Sequence, residues 1–319
     1  MWNRVEIGDC RQVLSGLPAG SFQCCVTSPP YWGLRDYGHP DQLGLEKTPD
    51  EYMTNMVGVF REVRRVLHDD GVLWLNLGDS YGTGASGQNF DPASGATNRG
   101  GQGQAGAFGH KKRPPLKGFH KNLVGIPWRV AFALQADGWF LRSDVIWSKP
   151  NPMPESVTDR PTKAHEYIFL LSKSERYFYD SHAIAEPLAD ANAQRTTAHY
   201  NTAERYGADN GGNSGLDALA ARMRSGEHLS RNRRTVWTIA TQPYSGAHFA
   251  TMPPKLVERC ILAGSKIGDV ILDPFLGSGT VGEVAESLGR QWFGCELNPK
   301  YASLIKERTA QVGLFGKAK

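Results

Sequence analysis

The sequence predicts an α/β protein built on a mostly parallel sheet flanked by helices. Two observations carry that prediction. Short apolar runs of strand length alternate with stretches of helical period along much of the 319 residues. Two of these runs end in turns of unusual composition, one of prolines near residue 29 and one of glycines near residue 277. In open α/β sheets, ligands collect at the carboxyl ends of strands, where both turns would fall.

The elements follow in order. Residues 22–26, Phe22-Gln23-Cys24-Cys25-Val26, read as a buried strand. Residues 51–67 set Met53, Met56, Val57, Phe60, Val63, Val66 and Leu67 at helical spacing. Asp70-Gly71 closes that helix, and a strand follows at residues 72–77. Residues 127–136 read as a helix and 140–147 as a strand. Residues 168–171 and 177–179 suggest a hairpin pair, and 182–195 a helix. Leu216, Leu219 and Met223 recur at helical spacing and are assigned to packing. Residues 270–273 form a strand, 281–288 a helix and 291–295 a further strand. One continuous sheet results if the C-terminal elements join the N-terminal ones in space.

A chain of this length can bury a full core with a smaller appendage. The net charge of +4 is mild. No apolar run reaches the roughly 18 residues of a membrane span, and the first residues lack the apolar stretch of a signal peptide. The five cysteines are odd in number and contain no Cys-x-x-Cys, so neither a disulfide framework nor a zinc site is indicated. A reducing, cytoplasmic setting and no bound metal are expected.

Chemistry concentrates in the two turns. Thr27-Ser28-Pro29-Pro30-Tyr31-Trp32 holds backbone carbonyls stiffly between a hydroxyl and two aromatic rings. A flat ring stacked on Tyr31 or Trp32 would aim an exocyclic amine at those carbonyls, which suits a nucleobase. In Asp273-Pro274-Phe275-Leu276-Gly277-Ser278-Gly279-Thr280, the glycines let backbone approach a ligand closely at the start of a helix. Glu296 stands 19 residues after Gly277, at the end of the next strand. That is the spacing of an acid reaching a ribose diol in a nucleotide-binding βαβ unit.

TSPPYWGLRDYG, DPFLGSGTVGEVAESLGRQWFGCELNPKY and their order resemble the amino-methylating DNA methyltransferases, in the permuted subgroup called beta. The resemblance spans roughly residues 4–308. It implies a Rossmann-like methyltransferase sheet in circularly permuted order, with an inserted target-recognition region. It also implies S-adenosyl-L-methionine as cofactor and double-stranded DNA as partner. The catalytic half is expected over residues 1–180, target recognition over 181–236 and the cofactor half over 237–319. Ser28, Pro29, Pro30 and Tyr31 match the catalytic turn. Asp9 matches an acid that meets the cofactor adenine. Asp273, Pro274, Phe275, Gly277, Ser278, Gly279, Thr280, Glu296 and Leu297 match the cofactor site, with Thr27, Thr251 and Pro253 beside it. The segments around Lys149 and His165-Glu166 match the surroundings of the target base. A homodimer and a cognate restriction nuclease are further partners that the resemblance leaves open.

A sulfonium methyl is already activated, so the amine needs alignment behind it and removal of its lone pair from conjugation. The Ser28 hydroxyl and the Pro29 carbonyl are the candidates to accept its two N–H bonds as positive charge builds. Ring-carbon methylation needs a thiolate on a Pro-Cys turn, and none of Cys10, Cys24, Cys25, Cys260 or Cys295 follows a proline. In the family that the chain resembles, serine at the first turn position goes more often with cytosine N4, and Asp or Asn with adenine N6, so the resemblance implies cytosine N4 ahead of adenine N6. A general-base role for His165-Glu166 is set below a structural hydrogen bond. Asp79 is read either as a helix cap or as facing the cofactor.

Residues 93–136 contain no acid but hold Lys111, Lys112 and Arg113 among seven cations. Residues 80–122 are therefore expected to form a flexible basic loop over the DNA backbone, against the plainer reading of a solvated loop. Residues 181–236 carry seven arginines against six acids. Arg222, Arg231, Arg233 and Arg234 are candidates for bases or phosphates, and Trp32 and Lys149 for the DNA contact. Trp32 is also read as a core residue. An RNA methyltransferase or a non-catalytic DNA-binding protein are the alternatives from other classes. A dehydrogenase would have no use for the Ser-Pro-Pro-Tyr turn.

Overall fold

The computed structural model describes residues 2–82, 119–187, 230–242 and 251–315. The chain divides into two compact units, one of Met1–Tyr179 with Thr235–Lys319 and one of Asp180–Arg234. The larger unit carries the sheet. Its elements are β1 Arg4–Ile7, α1 Cys10–Ser15, β2 Phe22–Thr27, α2 Pro49–Val66, β3 Leu67–Leu77, α3 Ile126–Ala136, β4 Phe140–Ser148 and β5 His165–Ser172. The smaller unit contributes β6 Glu186–Pro187 and β7 Ser230–Arg231. The larger unit then resumes with β8 Val236–Thr238, α4 Pro254–Gly264, β9 Val270–Asp273, α5 Thr280–Ser287, β10 Gln291–Glu296, a 3-10 turn Pro299–Tyr301 and α6 Ala302–Phe315.

The eight-stranded order is β1-β10-β9-β2-β3-β5-β4-β8. Five of its seven neighbour pairings are parallel, and β5 runs against both β3 and β4. The predicted joining of the two halves occurs at β2 and β9, where Cys24 pairs with Ile271 and Cys25 with Leu272. All six residues of β2 are buried. A strand enclosed on both faces reads as a continuous apolar run rather than an alternating one.

Helix α2 shows why the periodic stretch folds as expected. Thr48 caps it by accepting the Glu51 amide at 3.2 Å, and the Glu51 carboxylate reaches back to the Lys47 amide at 3.0 Å. Tyr52, Met56, Val59, Phe60, Val63 and Val66 form its buried face. All five cysteines are buried and free.

Three expectations fail. Strand β3 begins at Leu67 rather than residue 72, because the chain passes from helix to strand with no loop at Asp70-Gly71. Residues 177–179 form no strand; Phe178 makes a single backbone bond to Asp70 at 2.9 Å, and β5 instead fills the sheet between β3 and β4. Residues 182–187 form a turn and the short strand β6 rather than a helix, and Pro187 has no amide to donate to one. The rest of that expected helix lies outside the described residues, as do Leu216, Leu219 and Met223.

Candidate active site

Both turns line one cavity of about 1020 Å³ in the larger unit. They meet because β2 and β9 are neighbours in the sheet and both turns leave from carboxyl ends. From the first turn come Ser28, Pro29, Pro30 and Tyr31; from the second come Asp273, Pro274, Phe275, Gly277, Ser278 and Thr280. Asp9, Thr251, Glu296, Leu297 and Lys149 line the same space.

The glycine turn is built by backbone. Gly277 and Gly279 sit at φ +57° and +87°, where a side chain would be strained. The Gly277 amide donates to Glu296 at 2.9 Å, and the Asn298 amide to the other Glu296 oxygen at 2.8 Å. Asp273 accepts the Thr27 hydroxyl at 2.6 Å and the Phe275 amide at 3.0 Å. Burial with only neutral donors nearby pushes both acids up to about 7. Arg308 of α6 braces the turn from behind, donating to Ser278 at 2.9 Å and pairing with Glu283.

The proline turn is built by side chains. The Tyr52 hydroxyl donates to the Pro30 carbonyl at 2.8 Å. Among the described residues, no donor reaches the Pro29 carbonyl. A Cβ on Gly78 would stand 2.5 Å from the Tyr31 ring, so the residue that follows β3 must be glycine to admit it. The Tyr31 hydroxyl donates to Glu166 at 2.7 Å, and the Asn76 amide donates to Tyr31 at 2.8 Å and to Glu166 at 3.0 Å. The second Glu166 oxygen is paired with Lys149. Burial alone would raise Glu166, but the Lys149 charge and the three donors outweigh it and hold the carboxyl below its usual range. Burial and the neighbouring Glu166 charge push the Tyr31 hydroxyl well up.

Several expected roles move. Trp32 is 3% exposed, packs in the core and donates to the Glu46 carbonyl at 3.0 Å, so its ring offers DNA no surface. Lys149 lines the cavity and pairs there with Glu166. Thr27 stands behind the wall and bonds to Asp273; Pro253 and Gly279 are the N-cap residues of α4 and α5 and do not line the space. Asp9 lines the cavity, but its carboxylate caps α1 through the Arg11 amide at 2.8 Å and holds the Arg11 guanidinium. Asp79 is a cap, accepting the Gly125 and Ile126 amides at 3.0 Å each at the start of α3. In the smaller unit, Arg231 and Arg234 both pair with Glu186, and Arg233 donates to the Ile184 carbonyl at 2.6 Å. Those guanidiniums hold their own unit together. Lys111, Lys112, Arg113 and Arg222 lie outside the described residues, as does most of the basic loop.

Asn76, Lys163 and the ion pairing of Glu166 with Lys149 are cavity features that the motifs did not assign. A signal existed for two of them. Asn76 and Glu166 are the polar members of otherwise apolar strand runs, VLWLNL and HEYIFLL.

An adenosyl sulfonium fits the glycine side of the cavity. Glu296 sits against the Gly277 amide where a ribose diol would lie, Phe275 offers an apolar face, and two acids favour a cation. Comparison with known proteins agrees. The family described as DNA methylase, of the N6/N4 methyltransferase type, matches residues 22–307. The type II methyltransferase M.SmaI of Serratia marcescens is 46% identical over 308 residues, covering 96% of this chain and 90% of that one. M.Cfr9I of Citrobacter freundii is 46% identical over 301 residues, covering 94% and 85%. Among solved structures, the fold is similar to the PvuII DNA methyltransferase (cytosine-N4-specific), with a TM-score of 0.62, 20% identity and coverage of 96% and 85%. It is also similar to TTHA0409 of Thermus thermophilus complexed with S-adenosyl-L-methionine, with a TM-score of 0.56, 24% identity and coverage of 97% and 93%. The chain belongs to the DNA methylase family, as a beta-class, site-specific DNA amino-methyltransferase that uses S-adenosyl-L-methionine.

Proposed function

We propose that the protein methylates the exocyclic N4 of cytosine in duplex DNA, after the base has turned out of the stack into the cavity. One observation carries the reading: Ser28 and Pro29 line the same cavity as the glycine turn. The bound cofactor supplies a methyl group already activated on sulfur. Glu296, Phe275 and the Gly277 turn hold the donor side. Ser28 Oγ and the Pro29 carbonyl accept the two amine N–H bonds and draw the nitrogen lone pair out of the ring. Tyr31 and Trp147 wall the space for the base. No thiolate is available, since burial pushes the Cys10 thiol up to about 12 and raises the other four thiols too.

Serine at residue 28, in place of Asp or Asn, supports cytosine over adenine N6, and the cytosine-N4 specificity of the PvuII enzyme supports it too. The test is methyl transfer from labelled cofactor to duplex DNA or RNA, followed by mass spectrometry of the nucleosides. N4-methylcytosine in DNA is expected. N6-methyladenine alone would reject the base, and labelled RNA alone the substrate.

The reading extends to the segments between the motifs. The compact unit Asp180–Arg234 supports target recognition by residues 181–236. The acid-free run supports a loop at about 80–122 that closes on the DNA backbone. Neutralising Lys111, Lys112 and Arg113 together is expected to lower the salt dependence of DNA binding, and an unchanged slope would remove the loop from the interface. A homodimer and a restriction nuclease acting on the same site, in a cytoplasmic setting, complete the proposal. Among the described residues, no helix is long and apolar enough to cross a membrane.

A further inference from the structure

The chemistry above gives Glu166 no task, although Tyr31 and Asn76 tie it to the catalytic turn. Its carboxylate is ionised and can only accept. Oε2 takes the Tyr31 O–H at 2.7 Å and an Asn76 N–H at 3.0 Å. Tyr31 has one proton, and Glu166 holds it. The Tyr31 oxygen must then act as an acceptor, from Asn76 at 2.8 Å and from Ser28 at 3.3 Å. The Ser28 proton is thereby turned inward; Asn76 Nδ2 also stands 3.4 Å from Ser28 Oγ, but its two protons go to the shorter bonds with Tyr31 and Glu166, which leaves the Ser28 oxygen to accept from the cavity that Ser28 lines. Asn76 is held in the same sense. Reversing its amide would press Oδ1 against the carboxylate, and as placed that Oδ1 is buried with no partner.

We propose that Glu166 is a positioning residue that works through Tyr31. It directs a hydrogen-bond chain that keeps Ser28 an acceptor toward the target amine, and the same chain removes the proton that the amine must lose. The inference rests on the reading of Ser28 given above. The proton count closes. As the N–C bond forms and the S–C bond breaks, the nitrogen becomes cationic. It gives one N–H proton to Ser28 Oγ, Ser28 passes its own to Tyr31 Oη, and Tyr31 passes its own to Glu166 Oε2. Glu166 lines the cavity and releases the proton to water. Lys149 is the counter-ion that keeps the acceptor charged, with its Nζ lying 4.3 Å from the Trp147 ring centroid. Lys163 and His165 are the other titratable groups facing Glu166.

The test is single-turnover methyl transfer by the full chain to unmethylated duplex DNA. Tyr31→Phe breaks the chain but leaves the Glu166–Lys149 pair intact. It is expected to slow transfer about 100-fold, with cofactor and DNA affinities changed less than about twofold. Glu166→Gln combined with Lys149→Met removes both charges and is expected to slow transfer by a similar factor. All three substitutions together should lose no more than either set, because one relay is being broken twice. Transfer by Tyr31→Phe within about threefold of the native rate overturns the inference, and so do losses that multiply. If the paired substitution does not fold, Tyr31→Phe alone decides. A native enzyme that yields no N4-methylcytosine defeats the substrate reading; a fast Tyr31→Phe variant of an enzyme that does yield it defeats the relay alone.

Discussion

Two groups of buried acids face the same cavity and behave in opposite ways. Asp273 and Glu296, at the glycine turn, are partnered by amides and a hydroxyl, and burial lifts both to about 7. Glu166, at the proline turn, is paired with Lys149 and stays below the usual carboxylate range although it too is largely withdrawn from solvent. The difference lies in the partner, since neutral donors offset part of the desolvation and a lysine outweighs it. It suits the tasks. The donor side must accept a cation and becomes more anionic when one arrives. The target side needs a charge already present to orient a hydroxyl.

The sharpest way to break this comparison is to remove the lysine. Lys149→Met leaves Glu166 buried without its counter-ion, and the expected loss is about 3–5 kcal/mol in urea unfolding. A loss under about 1 kcal/mol would mean that the pair does not hold the network. A smaller effect is expected from pH. Asp273 and Glu296 have raised pKa values, so the native state holds protons that the unfolded chain releases. Stability from these groups is fully present below about pH 4 and is lost as pH rises through about 7, by an amount on the order of 3 kcal/mol for each acid. Glu166 has the opposite sign, and its contribution is lost as pH falls below the ordinary glutamate range. Asp273→Asn is expected to flatten the limb between pH 5 and 7, measured by denaturant unfolding across pH; an unaltered limb would refute the assignment.

Glu296→Gln keeps the carbonyl oxygen and loses the charge. Cofactor affinity is expected to fall about tenfold, or about 1.4 kcal/mol, in calorimetry at pH 8. In the native protein, affinity should rise with pH through 7 as the acids ionise. Trp32→Phe is expected to do least. It loses one bond to the Glu46 carbonyl, about 1 kcal/mol of stability, with DNA affinity unchanged. A selective loss of DNA binding would restore the ring to the interface.

The same contrast explains what was legible in the sequence. The strand, glycine turn, helix, strand and acid at residues 270–296 were placed closely because they are contiguous and their contacts are mostly backbone. Gly277 and Glu296 meet across a fixed spacing of 19 residues, which a βαβ unit dictates. The target side depends on sheet register. Asn76 pairs across from Ile168, so Glu166, two residues along the same face of β5, becomes its diagonal neighbour. Lys149 follows Ser148, which pairs with His165. No local pattern states those registers, and the antiparallel entry of β5 between β3 and β4 was itself missed as a hairpin at 177–179. Trp32 went astray for a related reason. The Gly33 amide bonds to the Gly44 carbonyl at 2.6 Å, and this loop closure faces the indole inward.

The central claim is that the target amine and the methyl donor meet between Ser28 and the Phe275–Gly279 turn. A crystal structure of the protein with a non-reactive cofactor analogue and a duplex bearing its site tests it most directly. The account predicts an extruded cytosine whose amine lies about 3 Å from Ser28 Oγ and the Pro29 carbonyl, with the analogue on Glu296. A cofactor bound elsewhere, or an extruded base that does not reach residue 28, would contradict it.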